Sequence, residues 1–114
     1  MTLPGVTPFP AEFAARYRAR GYWEDRPLIA HFLEVFDTYA DRLAVLDDDG
    51  SYTYAELAAA SQRVALNLLE EGLRPLDRVV VQLPNTRRFA SLYFALQRIG
   101  AIPIPSPNLL TSKD

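Results

Sequence analysis

Three short stretches of this sequence hold residue types that could do chemistry. Residues 47–50 read Asp-Asp-Asp-Gly, His31 is the single histidine, and Asn85 comes shortly before Arg87 and Arg88. Acidic runs can bind Ca²⁺, but this spacing does not fit an EF-hand loop and no glutamate stands at the twelfth position. Asp-Gly is also what a tight hairpin turn requires, so we interpret 47–50 as a turn rather than a metal site.

The histidine, the asparagine and the arginines do not form a catalytic set. His31 lies in a helical pattern without matching ligands or a nucleophile, so we expect a surface or packing role. Asn85 lies just past the carboxyl end of the predicted strand 79–83, and open α/β sheets bind ligands at the carboxyl ends of strands. Arg87 and Arg88 fall in the first turn of the next helix, the unfavourable end for cations. An anionic partner would explain them, but solvated arginines are the simpler interpretation.

The sequence contains neither of the glycine-rich motifs that bind phosphate. Its five glycines are spread singly, so G-x-G-x-x-G and G-x-x-x-x-G-K-[ST] are both missing. The lack of cysteine excludes disulfides, thiolate metal sites and cysteine nucleophiles. From the residues alone we therefore predict no catalytic residue, no cofactor-binding residue and no metal ligand in this chain.

The composition indicates a globular protein. The chain has 114 residues, 49% of them hydrophobic, and a formal net charge of −2. That apolar content can build a core, and the basic residues are too scattered for a nucleic-acid surface. The first residues do not resemble a signal peptide, and no apolar run approaches the length of a bilayer span. We expect no nucleic-acid or membrane partner and a cytoplasmic location.

Two helices are predicted in the first third of the chain. Residues 1–27 are expected to form an arm with a short helix, in which Pro10 suits the first turn and Gly21 ends the helix. We expect Trp23 to anchor this arm onto the body of the protein. Apolar residues at helical spacing predict a second helix from about residue 28 to residue 39.

A hairpin and a capped helix are predicted next. The Asp-Gly turn joins two short strands, and Thr53 with Glu56 fits a capping box. Tyr52 and Leu57 stand at the two positions of a hydrophobic staple. The helix is expected to run over 54–71. We expect it to bury Leu57, Ala60, Val64, Leu68 and Leu69.

The last predicted unit is strand, helix, strand. The unbroken valine run 79–81 is typical of a strand covered on both faces. Asn85 or Thr86 can cap the following helix, Gly100 ends it, and residues 101–104 read as a second strand. Short connections predict parallel strands with a right-handed crossover. The predicted fold is α/β: a hairpin plus helix and a right-handed βαβ unit, with an incomplete sheet whose open edge would be a site for association.

Four stretches carry a resemblance to a known family. They are "FPAEFAARYRARGYWEDRPL", "SYTYAEL", "DRVVVQLPN" and "FALQRIGAIPI", and they lie within residues 8–105. The first resembles the amino-terminal arm of aryl-acid adenylating enzymes of siderophore biosynthesis, the 2,3-dihydroxybenzoate–AMP and salicylate–AMP ligases. The others resemble the first core motif, the next strand and the second core motif of the adenylate-forming superfamily, which includes acyl-CoA synthetases, NRPS adenylation domains and luciferases. The motif positions, all structural, are Tyr54, Glu56, Leu57, Pro84, Asn85, Gly100, Ala101 and Pro103.

The resemblance implies an activity for the full-length family. Such enzymes use ATP and Mg²⁺ to convert an aryl acid into an aryl-adenylate, then pass the acyl group to a phosphopantetheine thiol on an aryl carrier protein. This sequence lacks the family's phosphate loop, its ribose-binding aspartate and its adenylation lysine, and Lys113 lies in a different context. We expect residues 28–105 to be a partial α/β subdomain of the adenylation domain and residues 106–114 to be a divergent polar tail. We also expect the chain alone to be inactive and to bind no cofactor.

Three interpretations of the chain are left open. It is an amino-terminal fragment of an aryl-acid–AMP ligase, or one half of a split adenylating enzyme completed by another chain, or a non-catalytic protein-interaction module. The first is favoured, because the motifs occur in family order. A complementing chain would have to carry the phosphate loop and the lysine.

Overall fold

Helices and strands follow one another in the predicted order. The structure, a computed structural model, describes residues 4–107, so Lys113 and most of the expected tail lie outside the described residues. The elements are α1 (Ala11–Ala19), α2 (Leu28–Thr38), β1 (Leu43–Asp47), β2 (Gly50–Thr53), α3 (Tyr54–Glu70), β3 (Arg78–Val81), α4 (Arg87–Ile99) and β4 (Ile102–Pro105). Within this range no helix has both the length and the apolar character needed to cross a membrane.

The strands form two separate sheets of two strands each. β1 and β2 pair antiparallel, with Asp47 opposite Gly50 across the turn. β3 and β4 pair in parallel, with Val80 opposite Ile104. The unit β3–α4–β4 therefore confirms the predicted α/β fold. Pro103 lies within β4 although it has no amide to donate, and the strand is only four residues long.

Both long helices, α3 and α4, pack on one face of the parallel sheet. The core consists of Ala65, Val81, Ala95, Leu96, Ile99 and Ala101. Val79 packs against this core, whereas the side chain of Val80 is 67% exposed. Neighbouring residues of a strand point to opposite faces, and within residues 4–107 only one face carries helices. The expectation that the valine run is covered on both faces is therefore wrong for the described part of the chain.

The start of α3 is the predicted capping box. Thr53 Oγ1 accepts a hydrogen bond from the Glu56 amide at 3.1 Å, and Glu56 Oε1 accepts one from the Thr53 amide at 2.9 Å. Leu57 is buried as expected. Leu69, however, is exposed, because it lies about 100° around the helix from Leu68, which packs against the core. The prediction that Leu69 is buried is wrong.

One arginine joins α3 to α4. Arg98 Nε donates to the hydroxyl of the buried Ser61 at 2.9 Å, and Arg98 Nη2 donates to the Ala58 carbonyl at 3.2 Å. The Ser61 hydroxyl donates to the same carbonyl at 2.9 Å. Burial lowers the pKa of the Arg98 guanidinium from its ordinary value, since desolvation disfavours the charged form. This contact gives the buried hydroxyl its partners and holds the two helices together.

The arm is organised by aromatic contacts of its own. The Trp23 ring centroid lies 5.1 Å from that of Phe9 and 5.2 Å from that of Tyr17. Arg18 Nε lies 2.8 Å from the Asp25 carboxylate, and its guanidinium faces the Trp23 ring. α1 buries none of its residues. The aromatic contacts of Trp23 therefore lie within the arm, and its anchoring of the arm onto the body stays a prediction.

Replacing Thr53 with alanine is expected to lower the free energy of unfolding by about 1 kcal/mol, because the Glu56 amide loses its acceptor. Thr53→Ser keeps a hydroxyl at the cap and should leave stability nearly unchanged. Urea unfolding followed by far-UV circular dichroism measures both variants. Equal losses in the two variants would contradict the role assigned to the cap.

Candidate functional site

The candidate site lies where β3 ends and α4 begins, beside the tip of the β1–β2 hairpin. It consists of two neighbouring cavities at the carboxyl edge of the parallel strands, the edge where open α/β sheets bind ligands. The first, of about 500 Å³, is lined by Asp47, Asp49, Tyr52, Leu83, Pro84, Thr86, Arg87 and Arg88. The second, of about 400 Å³, is lined by Leu83, Pro84, Asn85, Phe89, Pro105, Ser106 and Pro107.

The Asp47 carboxylate is the centre of the polar contacts in the first cavity. Its Oδ1 accepts hydrogen bonds from the amides of Asp49 at 2.9 Å and Gly50 at 3.0 Å. Its Oδ2 accepts a hydrogen bond from the Arg87 amide at 2.9 Å, and Arg87 Nε lies 3.3 Å from Oδ1. One side chain, only 11% exposed, thus closes the hairpin turn and satisfies the first amide of α4.

Asp47 performs the capping that the sequence assigns to Asn85 or Thr86. Thr86 is the N-cap residue of α4, but its side chain makes no capping hydrogen bond. The Arg87 side chain is 27% exposed, and its guanidinium lies 5.0 Å from the centroid of the Tyr52 ring. The interpretation of Arg87 as a solvated arginine is therefore wrong, because a carboxylate and an aromatic face both contact it.

Hydrogen bonding holds the pKa of Asp47 below its ordinary value. The largest cause is the hydrogen bond from the Arg87 amide; burial opposes it, and the Asp49 amide, the Arg87 charge and the Gly50 amide add to it. All of these except burial favour the ionised carboxylate. The anion that complements Arg87 and the amino-terminal end of α4 is thus a side chain of the protein itself.

Three of the motif positions, Tyr54, Glu56 and Leu57, form the first turn of α3. The Tyr54 ring lies 6.1 Å from the ring of Phe36 in α2, and Leu57 is buried. None of the three lines either cavity described above. Their contacts join α3 to α2 and to the hairpin.

The other five motif positions lie at the two ends of α4: Pro84, Asn85, Gly100, Ala101 and Pro103. Only Pro84 and Asn85 line the cavities. Gly100 ends α4 with a φ of +84°, which favours glycine, and Ala101 is buried in the core. Gly100 therefore contributes a backbone conformation and Ala101 contributes packing, and neither lines a cavity.

The described residues do not offer a ligand set for a metal ion. Between residues 4 and 107, no group of three His, Cys, Asp or Glu side chains is placed to hold one. His31 Nε2 lies 3.8 Å from the Glu24 carboxylate at the surface. Asp47 uses its oxygens on backbone amides and Arg87, so the acidic turn acts as the predicted hairpin turn.

Sequence reasoning missed the pairing of Asp47 with Arg87. The two residues are 40 positions apart, and no periodic pattern relates a hairpin turn to the start of a later helix. The available signal was the position of Arg87 and Arg88 in the first turn of α4, because the amino-terminal end of a helix disfavours cations. Such a mismatch indicates an anion nearby, but it does not identify which one.

The architecture defines the class of protein. A hairpin, a capped helix and a parallel βαβ unit, with a structural carboxylate between them, form part of an α/β domain of the kind found in adenylation enzymes. The chain belongs to the AMP-binding enzyme family, whose sequence model matches residues 32–114. The matched range begins after the arm and includes 106–114.

Similar proteins of known activity include aryl-acid ligases. The chain is 46% identical over 107 residues to the salicyl-AMP ligase / salicyl-S-ArCP synthetase of Mycobacterium tuberculosis, covering 90% of this chain and 19% of that protein. It is 37% identical over 102 residues to the 2,3-dihydroxybenzoate-AMP ligase of Bacillus subtilis, again covering 90% and 19%. The apo structure of Mycobacterium smegmatis MbtA superposes with a TM-score of 0.86 at 47% identity, covering 91% of this chain and 20% of that one. The chain thus spans about a fifth of the length of its relatives.

The similarity to these ligases extends into the arm. Residues 28–114 are 87 of the 114 residues, so a match that covers 90% of the chain must include part of 1–27. The family model, by contrast, begins at residue 32. The arm is therefore shared with aryl-acid ligases beyond the range that the family model matches.

Asp47→Asn is expected to destabilise the protein, because the variant keeps an acceptor oxygen but loses the charge that faces Arg87 and the α4 amide. Asp48→Asn is the matched control, since Asp48 is exposed beside it in the same turn. The urea midpoint should fall for Asp47→Asn and stay in place for Asp48→Asn. Combining Asp47→Asn with Arg87→Gln should give less than the sum of the two losses. Equal midpoints for the two aspartate variants would contradict this assignment.

The stability that Asp47 contributes is expected to disappear in acid. Because its folded-state pKa lies below the ordinary value of 3.8, the unfolded chain takes up the proton first as the pH falls. The contribution should be complete well above that value and decline as the pH falls through it toward the lowered pKa. Unfolding free energies of wild type and Asp47→Asn, compared from about pH 7 to about pH 3, measure this. A difference that does not change with pH would show that the carboxylate charge is not responsible.

Proposed function

We propose that this chain is the amino-terminal part of an aryl-acid–AMP ligase. The observation that carries the proposal is the match to salicylate and 2,3-dihydroxybenzoate ligases across both the arm and the core motifs. In the parent reaction, the aryl carboxylate attacks the α-phosphate of ATP, forming an aryl-adenylate and releasing pyrophosphate. The acyl group then passes to a phosphopantetheine thiol on an aryl carrier protein. We propose that this reaction serves siderophore biosynthesis and takes place in the cytoplasm.

The described residues would serve this reaction as scaffold. Adenylation depends on positioning the acid and on electrostatic stabilisation of the phosphates. Here Arg87 and the first amide of α4 are engaged by Asp47, so neither is left to bind a phosphate. The part of the chain that the structure describes also offers no group of three His, Cys, Asp or Glu side chains that could hold Mg²⁺.

The motif positions are proposed to act structurally. Tyr54, Glu56 and Leu57 set the start of α3, and Gly100 and Ala101 return the chain from α4 into the sheet. Four observations support these structural roles: the capping box at the start of α3, the burial of Leu57, the left-handed φ of Gly100 and the burial of Ala101. We further propose that 28–105 is a partial subdomain with 1–27 as its arm.

A second candidate function is one half of a split adenylating enzyme. The observation in its favour is the exposed apolar face of the parallel sheet, formed in part by Val80 and Ile104. A separate chain carrying the phosphate loop and the lysine would then complete the domain.

The proposal predicts activity for a chimera and none for the isolated chain. In the chimera, this chain replaces the matching fifth of the Mycobacterium tuberculosis ligase, and salicylate-dependent ATP–pyrophosphate exchange should persist because the replaced part is scaffold. The purified 114-residue chain should show no exchange above a blank without acid.

The unmodified ligase is the positive control for both measurements. A folded chimera that has lost salicylate-dependent exchange would overturn the proposed function. Exchange by the isolated chain, with either salicylate or 2,3-dihydroxybenzoate, would overturn the scaffold role.

A further inference from the structure

We propose that the exposed face of the parallel sheet is an assembly surface that binds the remainder of an AMP-binding domain even when that remainder is a separate polypeptide. We call it the outer sheet face and define it by Arg78, Val80, Ile102 and Ile104. The inference rests on the proposed function, since the occupant is the part of the ligase that this chain does not contain.

The register of the strands defines this face. Val80 lies opposite Ile104, and their side chains are 67% and 42% exposed. The alternate residues Val79 and Val81 contact the core formed by α3 and α4. Because side chains alternate along a strand, Val80 and Ile104 point to the side that these helices do not cover. Two β-branched apolar side chains therefore stand next to each other in solvent.

The strands have the sequence of a parallel sheet that is covered on both faces, but in the described residues helices cover only one face. Parallel strands occur almost only in sheets covered on both faces, and consecutive valines are their usual sequence. In the described residues β3 and β4 each pair with one neighbour, so each also has an unpaired edge. Unpaired edges beside an apolar face favour association with further strands and a second helical layer.

The size of the face favours this occupant over a second copy of the chain. Stable interfaces bring together roughly 20 residues on each side, whereas the outer sheet face has four side chains and one of them is an arginine. A partner that both extends the sheet at its edges and covers the face makes a larger contact. The matched segment is only 19% of the length of the relatives, so their own chains contain further residues from which such a partner could come.

The test is assembly from two chains. The 114-residue chain is co-expressed with the Mycobacterium tuberculosis ligase from which the matching fifth has been deleted, and the deleted ligase carries the affinity tag. We expect the 114-residue chain to co-purify with the tagged, deleted ligase in equal molar amount and to restore salicylate-dependent pyrophosphate exchange.

Two substitutions test whether the outer sheet face makes the contact. Val80→Asp and Ile104→Asp should each reduce the co-purified chain by about tenfold or more, because each would bury an unpaired carboxylate. Leu66→Asp is the matched control: Leu66 is 54% exposed on α3, the helix that covers the opposite face, and recovery should not change. Circular dichroism of the isolated variants confirms that each is folded.

The outcomes separate this inference from the proposed function. An active chimera without co-purification of the wild-type chain overturns the two-chain assembly and leaves the proposed function in place. If Val80→Asp, Ile104→Asp and Leu66→Asp co-purify with the deleted ligase in equal amounts, the proposal that the outer sheet face makes the contact is overturned. Self-association that Val80→Asp abolishes, with no capture by the deleted ligase, overturns the occupant in favour of a second copy.

Discussion

One carboxylate, that of Asp47, connects two units of the described structure that share no sheet. The strands of the hairpin and those of the βαβ unit form separate sheets, and Asp47 joins the two units by accepting hydrogen bonds from the turn and from the first amide of α4. Its position at the amino-terminal end of a helix, beside the Arg87 guanidinium, makes the ionised form the favoured one. The same contact orients Arg87 over Tyr52 and so sets the shape of the cavity between the two units.

Features of the fold that depend on neighbouring residues could be predicted from the sequence. The Thr53–Glu56 capping box, the hairpin around residues 47–50 and the end of α4 at Gly100 each follow from residues within a few positions of one another, and the structure confirms all three. Within the hairpin the turn residues are Asp48 and Asp49, because Gly50 already pairs with Asp47 as the first residue of β2. The parallel pairing of β3 with β4 also follows from local information, because a short strand–helix–strand sequence leaves little other choice. The comparisons agree with the resemblance to aryl-acid ligases. That resemblance could also be seen in the sequence, because its core motifs are short stretches of neighbouring residues.

Features that depend on distant contacts could not be predicted. The sequence offers Asp47 as a turn residue and Arg87 as an exposed cation, and only the packing of the hairpin against α4 makes them partners. The valine run is a second example. Its composition indicates burial on both faces, which is a property of a complete sheet, whereas Val80 remains open in the described part. Leu69 differs from Leu68 by a rotation around α3 that apolar composition alone does not resolve.

Electrostatics and packing lead to opposite conclusions about this segment. Three of its partly buried charged groups have partners within the segment: Asp47 pairs with Arg87 and with the first amide of α4, and Arg98 donates to groups of α3. A site whose polar groups already bond to each other offers little to a phosphate or a carboxylate. The apolar surface is the reverse, since Val80 and Ile104 are exposed on the face of the sheet opposite the core. Binding by this segment is therefore expected to come from its apolar sheet face rather than from its charges, which is the property of a scaffold that joins other parts of a domain.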